Sequence, residues 1–227
     1  MDYEQLGKYI FMNVFVVIPS WNEAKNIGAV LQSLKKYDYQ IVVVDDGSSD
    51  QTAQVASDFG VKVLQHEINR GQGAALYTGT LYALKQGADI IVHFDSDGQC
   101  LAEEISQVIA PIISNQADIV FGSKFLQNNK IPWQKKYFII KPAIWLNNFL
   151  TGLKLSDVHN GFRALNRLAA EKITIKQDAM AHASEIVAQT KKMKLRYQEV
   201  PVTIIYHKFG QGFGGGLKIL IDWFFKK

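Results

Sequence analysis

Between Asn13 and Phe121, short β-branched apolar runs alternate with longer stretches whose apolar residues recur at helical spacing. This alternation constrains the fold more than any other feature, because parallel strands need crossover helices and those helices need a sheet to cover. Asn13 to Ile18, Ile41 to Val44, Val61 to Leu64, Ile90 to Phe94 and Ile119 to Phe121 read as strands. Ile27, Val30, Leu31 and Leu34 mark a first helix, which Ser20 and Glu23 would open as a capping box. Ala53, Ala56 and Phe59 mark a second, stopped at Gly60. Leu76, Leu81 and Leu84 mark a third, and Ile105, Val108, Ile109 and Ile112 a fourth that kinks or ends near Pro111. The expected class is α/β, with a mostly parallel sheet as far as about Ser123.

A chain of 227 residues, 48% of them hydrophobic, can bury one sizeable core, so one domain over residues 1–227 is expected. The net charge of +4 suits an anionic partner such as a nucleotide or lipid phosphate without choosing among them. Cys100, the only cysteine, excludes a disulfide framework and a thiolate metal site and favours a reducing, cytoplasmic compartment. Residues 1–12 lack the basic start and apolar core of a secretory signal. No uncharged apolar run approaches the roughly 18 residues of a membrane span. The nearest, Leu217 to Phe225, is broken by Lys218 and Asp222. Attachment to the cytoplasmic face of a membrane is the alternative to crossing it. Two segments mix basic and aromatic residues as interfacial segments do: 131–150, with Trp133, Lys135, Lys136, Trp145 and Phe149, and 217–227. The first reads equally as a surface helix, and the second also as the docking face for a membrane partner. Gly210 to Gly216 is too glycine-rich for a regular element and reads as a lid-like loop.

Asp95-Ser96-Asp97 directly follows an apolar strand. Residues i and i+2 of an extended chain share a side, so the two carboxylates can converge, and a divalent cation between them would relieve their repulsion. Mg²⁺ or Mn²⁺ fits an oxygen donor set, to which Gln99 would add a neutral oxygen. A turn capped by Asp uses the same residues. Asp45-Asp46-Gly47-Ser48-Ser49-Asp50 also leaves the carboxyl end of a strand, where open α/β sheets bind ligands. Asp45 there suits a base or ribose hydroxyl, while Ser48 and Ser49 are accounted for by capping. Asn69 to Gly73 lacks the third glycine of the dinucleotide fingerprint, which argues against a Rossmann dehydrogenase. It allows either close approach to a nucleotide, through Gly71, or a plain turn. His66, His93, His159 and His182 fit no metal-ligand spacing and read as hydrogen-bonding residues.

Pro19 to Glu23, Asp45 to Thr52, Asn69 to Ala74, Asp95 to Gln99, Gly122 to Lys124, Asp157 to Arg163 and Glu199 to Val202 occur in an order that resembles the inverting glycosyltransferases of family 2. The resemblance is closest to the dolichyl- and polyprenyl-phosphate mannosyltransferase branch and covers about residues 13–218. It implies a glycosyltransferase-A fold, with Pro19, Trp21, Glu23, Val43 and Asp45 around base and ribose, and Asp95 and Ser96 at the nucleotide. It implies a cation on Asp95, Asp97 and Gln99. Lys124 and Arg163 supply positive charge in the matching motifs, and Lys208 or Lys218 would close on donor phosphate. Lys124 stands where the family usually has Arg, which keeps the charge but loses the bidentate fork. Cys100 and Leu101 replace a frequent His-Pro pair.

The reaction so implied moves a sugar from a nucleotide diphosphate to a polyprenyl phosphate at a membrane surface, with inversion. A lipid phosphate is already anionic and attacks without a strong general base. A saccharide hydroxyl, the rival acceptor, needs a carboxylate base, for which Asp157 and Glu185 are candidates. A non-catalytic nucleotide-sugar-binding subunit is the rival outside enzymology, and a small membrane protein is a possible partner. Nucleic acid is not expected to bind.

Overall fold

The computed structural model describes residues 12–126, 152–157, 160–178 and 181–205. Among the described residues seven strands form one sheet in the order β3-β2-β1-β4-β6-β5-β7. β1 (Val14–Ser20) lies inside it with every residue buried, as expected of a strand covered on both faces. It pairs in parallel with β2 (Gln40–Asp45) and β4 (Ile90–His93), and β2 pairs in parallel with β3 (Lys62–Gln65). α1 (Ile27–Leu34) buries the four apolar residues its periodicity picked out. α2 (Thr52–Asp58) gives way to Gly60 at φ +70°, the left-handed position at which glycine ends a helix without strain.

The capping box does not form. Ser20 is still in β1, buried, and its Oγ has no hydrogen-bond partner among the described residues. α1 starts only after Asn26, whose side chain donates to Glu23 Oε2 at 2.7 Å. Ser48 and Ser49 likewise cap no helix: Ser48 donates to Asp45, and Ser49 donates its N–H to Asn22 Oδ1 at 2.9 Å.

α3 (Gln72–Lys85) buries small residues, and Leu81 is exposed. A Cβ on Gly79 would fall 2.3 Å from Val17 Cγ1, so the helix axis sits closer to β1 than any other residue permits. Leu76 is buried and Leu84 packs against the core as the periodicity expects, and Leu81 alone of the three faces solvent. α4 (Ile105–Ile113) follows a 3₁₀ turn at Ala102–Glu104 and ends two residues past Pro111.

The sheet stops being parallel beyond β4. β6 (Arg163–Asn166) lies between β4 and β5 (Ile119–Ser123), antiparallel to both, and β7 (Tyr197–Pro201) closes the edge parallel to β5. Because β6 runs backwards, the residues just before it lie at the carboxyl edge of β4, beside Asp95. α5 (Arg167–Lys172) and α6 (His182–Lys192) pack with α3 on one face, while α1 and α4 cover the other.

Asp118 ties the near ends of β5, β6 and β7 together. Its carboxylate accepts from Arg196 Nη2 (2.8 Å), Arg196 Nε (3.2 Å), Arg196 N (2.9 Å) and Asn166 Nδ2 (3.0 Å). The Arg196 bonds hold the Asp118 carboxyl below its ordinary value of 3.8. A depressed pKa contributes stability above the unfolded value that fades as pH falls through the folded one. Asp118→Asn is expected to lower Tm by about 3 °C at pH 7, the effect of roughly 1 kcal/mol in a chain of this size. The gap to the unmodified chain should close below pH 3.8; a gap constant from pH 7 to pH 3 would refute the ionic contribution.

Candidate active site

The carboxyl ends of β1, β2 and β4 meet at one edge, and the acidic residues gather there. Asp45 ends β2 and accepts from Ser48; it is buried, as is Pro19 at the end of β1. Ser96 donates to Pro19 O at 2.9 Å, fixing the Asp95–Asp97 turn to β1. Trp21 is 55% exposed at the same edge, leaving a ring face open. Glu23 is partly buried and donates its N–H to Thr52 Oγ1 at 2.8 Å, interlocking the loops after β1 and β2. Val43 is fully buried in the core two residues before Asp45, so its side chain packs beneath the site rather than facing a ligand.

Asp95 and Asp97 share one field. Burial and then the charge of Asp97 push the Asp95 carboxyl up to about 6, against the opposing effects of Arg163 and of Gln72, whose Nε2 donates to Asp95 Oδ1 at 2.8 Å. Burial also raises Glu23, with Asp97 and Asp50 adding to the effect against the Asn26 hydrogen bond. Gly161 lies flat against this carboxylate, for a Cβ there would fall 2.2 Å from Asp95 Oδ2. Asp97 Oδ1 accepts from Gln99 N at 3.0 Å. Among the described residues no three His, Cys, Asp or Glu side chains cluster tightly enough to hold a cation alone. A repelling carboxylate pair fits Mg²⁺ or Mn²⁺, which take few protein ligands when a diphosphate supplies the rest.

The cationic residues of the site come from β6 and from the end of β5, next along the same edge. Lys124 follows β5, with Nζ 3.7 Å from Asp157 Oδ2, and its backbone N–H approaches the same oxygen at 3.4 Å. Asp157 is buried and held in turn by Glu199 of β7. The Glu199 carboxylate accepts from Ser156 N (2.8 Å), Ser156 Oγ (2.8 Å) and Asp157 N (3.2 Å). Arg163, 1% exposed, donates to Asn160 O at 3.0 Å and Gly161 O at 3.3 Å. Burial lowers its guanidinium to about 10, with Asp95 and Asp157 opposing, so it stays charged at neutral pH.

Two candidates have their groups committed elsewhere. The Gly71 N–H donates to Asp46 Oδ2 at 2.6 Å and the Arg70 N–H to Asp46 Oδ1 at 3.0 Å. His66 completes the clamp, with Nδ1 2.7 Å from Asp46 and Nε2 2.9 Å from Thr78 Oγ1. Gly71, at φ +102°, thus serves the turn through its conformation. Glu185 in α6 accepts from Lys176 N and Gln177 N, both at 2.9 Å. That loop presses on Gly73, whose N–H donates to Asp178 O at 2.8 Å. His93 pairs with Thr80 at 3.0 Å, in keeping with a hydrogen-bonding role, while His159 lies outside the described residues. So do Lys208, Lys218, the Gly210–Gly216 loop, the whole 131–150 segment and the 217–227 tail. Ile205, the last described residue before Lys208, donates its N–H to Gln99 O at 2.9 Å, bringing the chain to the cation-side edge. Gln72, Asp46, Gly161 and Glu199 were not singled out as site residues from sequence, although two consecutive acids after an apolar strand had pointed to Asp46.

The sequence profile of "Glycosyl transferase family 2" matches residues 15–174. A UDP-N-acetylglucosamine–dolichyl-phosphate N-acetylglucosaminyltransferase of Methanococcus voltae is 31% identical, with 94% of each chain covered. A polyprenol monophosphomannose synthase of Mycolicibacterium smegmatis is 28% identical over 86% of this chain and 78% of its own. In fold, the chain is similar to glucosyl-3-phosphoglycerate synthase of Mycobacterium tuberculosis, solved with Mn²⁺, UDP and glucosyl-3-phosphoglycerate. The TM-score is 0.72 at 17% identity, over 96% of this chain and 78% of that one. The sheet order and this likeness together make the fold glycosyltransferase-A-like. With the profile spanning most of the chain and relatives that match it nearly end to end, this protein belongs to glycosyl transferase family 2 and is a glycosyltransferase.

Proposed function

We propose that this enzyme transfers a hexose or N-acetylhexosamine, with inversion, from a nucleotide diphosphate donor to the phosphate of a polyprenyl phosphate at a membrane surface. The observation that carries the reading is the placing of Asp95 and Asp97 at the carboxyl edge with Arg163 beside Asp95 and Lys124 beyond it on Asp157. The relatives whose names specify dolichyl phosphate or polyprenol supply the acceptor class.

Asp45, Glu23 and Trp21 would hold the nucleoside, and Asp95, Asp97 and Gln99 the cation. A bound Mg²⁺ or Mn²⁺ supplies charge neutralisation for the departing diphosphate. Lys124 adds a fixed positive charge beside it. The acceptor phosphate needs no proton removed, so the residues chiefly align it behind the anomeric carbon. The rival hydroxyl acceptor would need Asp157 as base, but Asp157 Oδ2 already faces Lys124 at 3.7 Å, which favours a charge-pairing role. No helix among the described residues is long and apolar enough to cross a membrane. The basic and aromatic residues of segments 131–150 and 217–227 suit contact with a bilayer, alone or with a small membrane protein.

The test is transfer of labelled sugar from a panel of UDP- and GDP-sugars into organic-extractable polyprenyl phosphate with Mg²⁺ or Mn²⁺. Cation-dependent product is expected with one donor base. Product only on a saccharide acceptor would overturn the reading.

A further inference from the structure

Asn160 carries a buried hydrogen-bond donor with nothing to give it to. The residue is 8% exposed, and its Nδ2 has no partner among the described residues. The orientation of the amide is fixed by its surroundings: Oδ1 accepts from Phe162 N at 3.1 Å, so turning the amide over would set two donors against each other. The backbone is fixed as well, because Asn160 O accepts from Arg163 Nη2 at 3.0 Å. Phe162 is held edge-on against Phe94, ring centres 5.2 Å apart, which anchors the turn to the end of β4. Arg163 Nη1 is a second buried donor without a partner, three residues on in the same turn. Orphaned buried donors of this kind are rare in folded chains and point to an oxygen that arrives with a ligand.

The charge nearby selects the kind of oxygen. Lys124 and Arg163 are the cations on this side of the site, with Asp157 facing Lys124 and Glu199 bonded behind Asp157, and Arg163 makes no ion pair within 4.0 Å among the described residues. Asp95 and Asp97, across Gly161, are the groups suited to a cation and the donor diphosphate.

We propose that Asn160 Nδ2 donates to an anionic oxygen of the acceptor phosphate, with Arg163 as the fixed charge behind it. The inference rests on the acceptor reading above and adds a recognition residue to it. A rigid donor that is already desolvated binds an anionic oxygen with little reorganisation.

Asn160→Asp is the discriminating variant. It keeps the Oδ1 that accepts from Phe162 N but sets a charged oxygen where the donor stood. A phosphate oxygen would be repelled there, whereas a sugar hydroxyl would simply donate to the new carboxylate. The measurement is steady-state transfer to polyprenyl phosphate by the full-length protein, with KM for each substrate, kcat and Tm. The acceptor KM is expected to rise about tenfold or more, with donor KM and Tm unchanged. Asn160→Ser, whose hydroxyl can accept from Phe162 N, removes the donor without adding charge and should raise acceptor KM by a smaller factor. The proposal fails if the acceptor KM of both variants matches that of the unmodified chain. It also fails if donor KM rises instead, which would assign the oxygen to the nucleotide sugar, or if kcat alone falls with both KM values intact. Absence of transfer to polyprenyl phosphate by the unmodified chain would strike the acceptor reading itself, before any variant is compared.

Discussion

Replacing Asp97 with Ala is expected to lower sugar transfer by about a thousandfold or more while leaving the fold intact, because it removes half of the carboxylate pair that would hold the cation. The side chain is only partly buried and its one described bond is to Gln99 N, so Tm should move by about 2 °C at most. Two further readouts separate loss of the cation from general damage. Mn²⁺ binding, followed by paramagnetic broadening, should disappear together with turnover. The Asp95 carboxyl, raised to about 6 by burial and by Asp97, should titrate lower once that neighbouring charge is gone. In the unmodified chain a proton competes with the cation for a carboxylate whose pKa is near 6, so Mn²⁺ affinity without nucleotide should weaken between pH 7 and pH 5. Asp97→Ala that keeps turnover within tenfold would remove these carboxylates from the reaction.

The parallel half of the sheet was legible because its strands are short β-branched runs and α1 has a regular apolar stripe. Asp95 and Asp97 were legible for a related reason, since acids abutting a buried strand have few structural uses. β6 was not, because Arg163 to Asn166 is four residues long, contains a buried arginine, and pairs with strands distant in sequence. The face of α3 was misjudged at Leu81 because close packing against Val17 and Val44 is written in Gly79, not in large side chains. The capping box failed because the N-cap lies six residues beyond Ser20: β1 extends through Ser20, Asn26 stands at the N-cap, and Glu23 accepts from the Asn26 side chain. The groups that hold the site in shape were the hardest to foresee. Asp46 clamps the glycine-rich turn from 24 and 25 residues away, and Glu199 reaches back 43 residues to Ser156, separations that local pattern does not register.

Arg163→Met is expected to be the most destabilising change in the site, by about 3 kcal/mol or more, through two effects that act together. The first is loss of hydrogen bonds to Asn160 O and Gly161 O, which leaves two turn carbonyls short of a donor beside Asp95. The second is electrostatic. Arg163 opposes the rise in the Asp95 pKa, so without it the buried carboxyl moves further above 6 and is protonated over more of the neutral range. Methionine roughly fills the volume, so a cavity is not the cause, and Arg163→Lys separates the two effects by keeping the charge without the planar fork. In calorimetry Arg163→Met should lower Tm by roughly 6 °C or more. Adding Asp95→Asn should recover part of the loss, because the amide has no charge to leave uncompensated. A Tm unchanged by Arg163→Met, or a double variant no more stable than the sum of the single losses, would mean that Arg163 does not hold the Asp95 side of the site together.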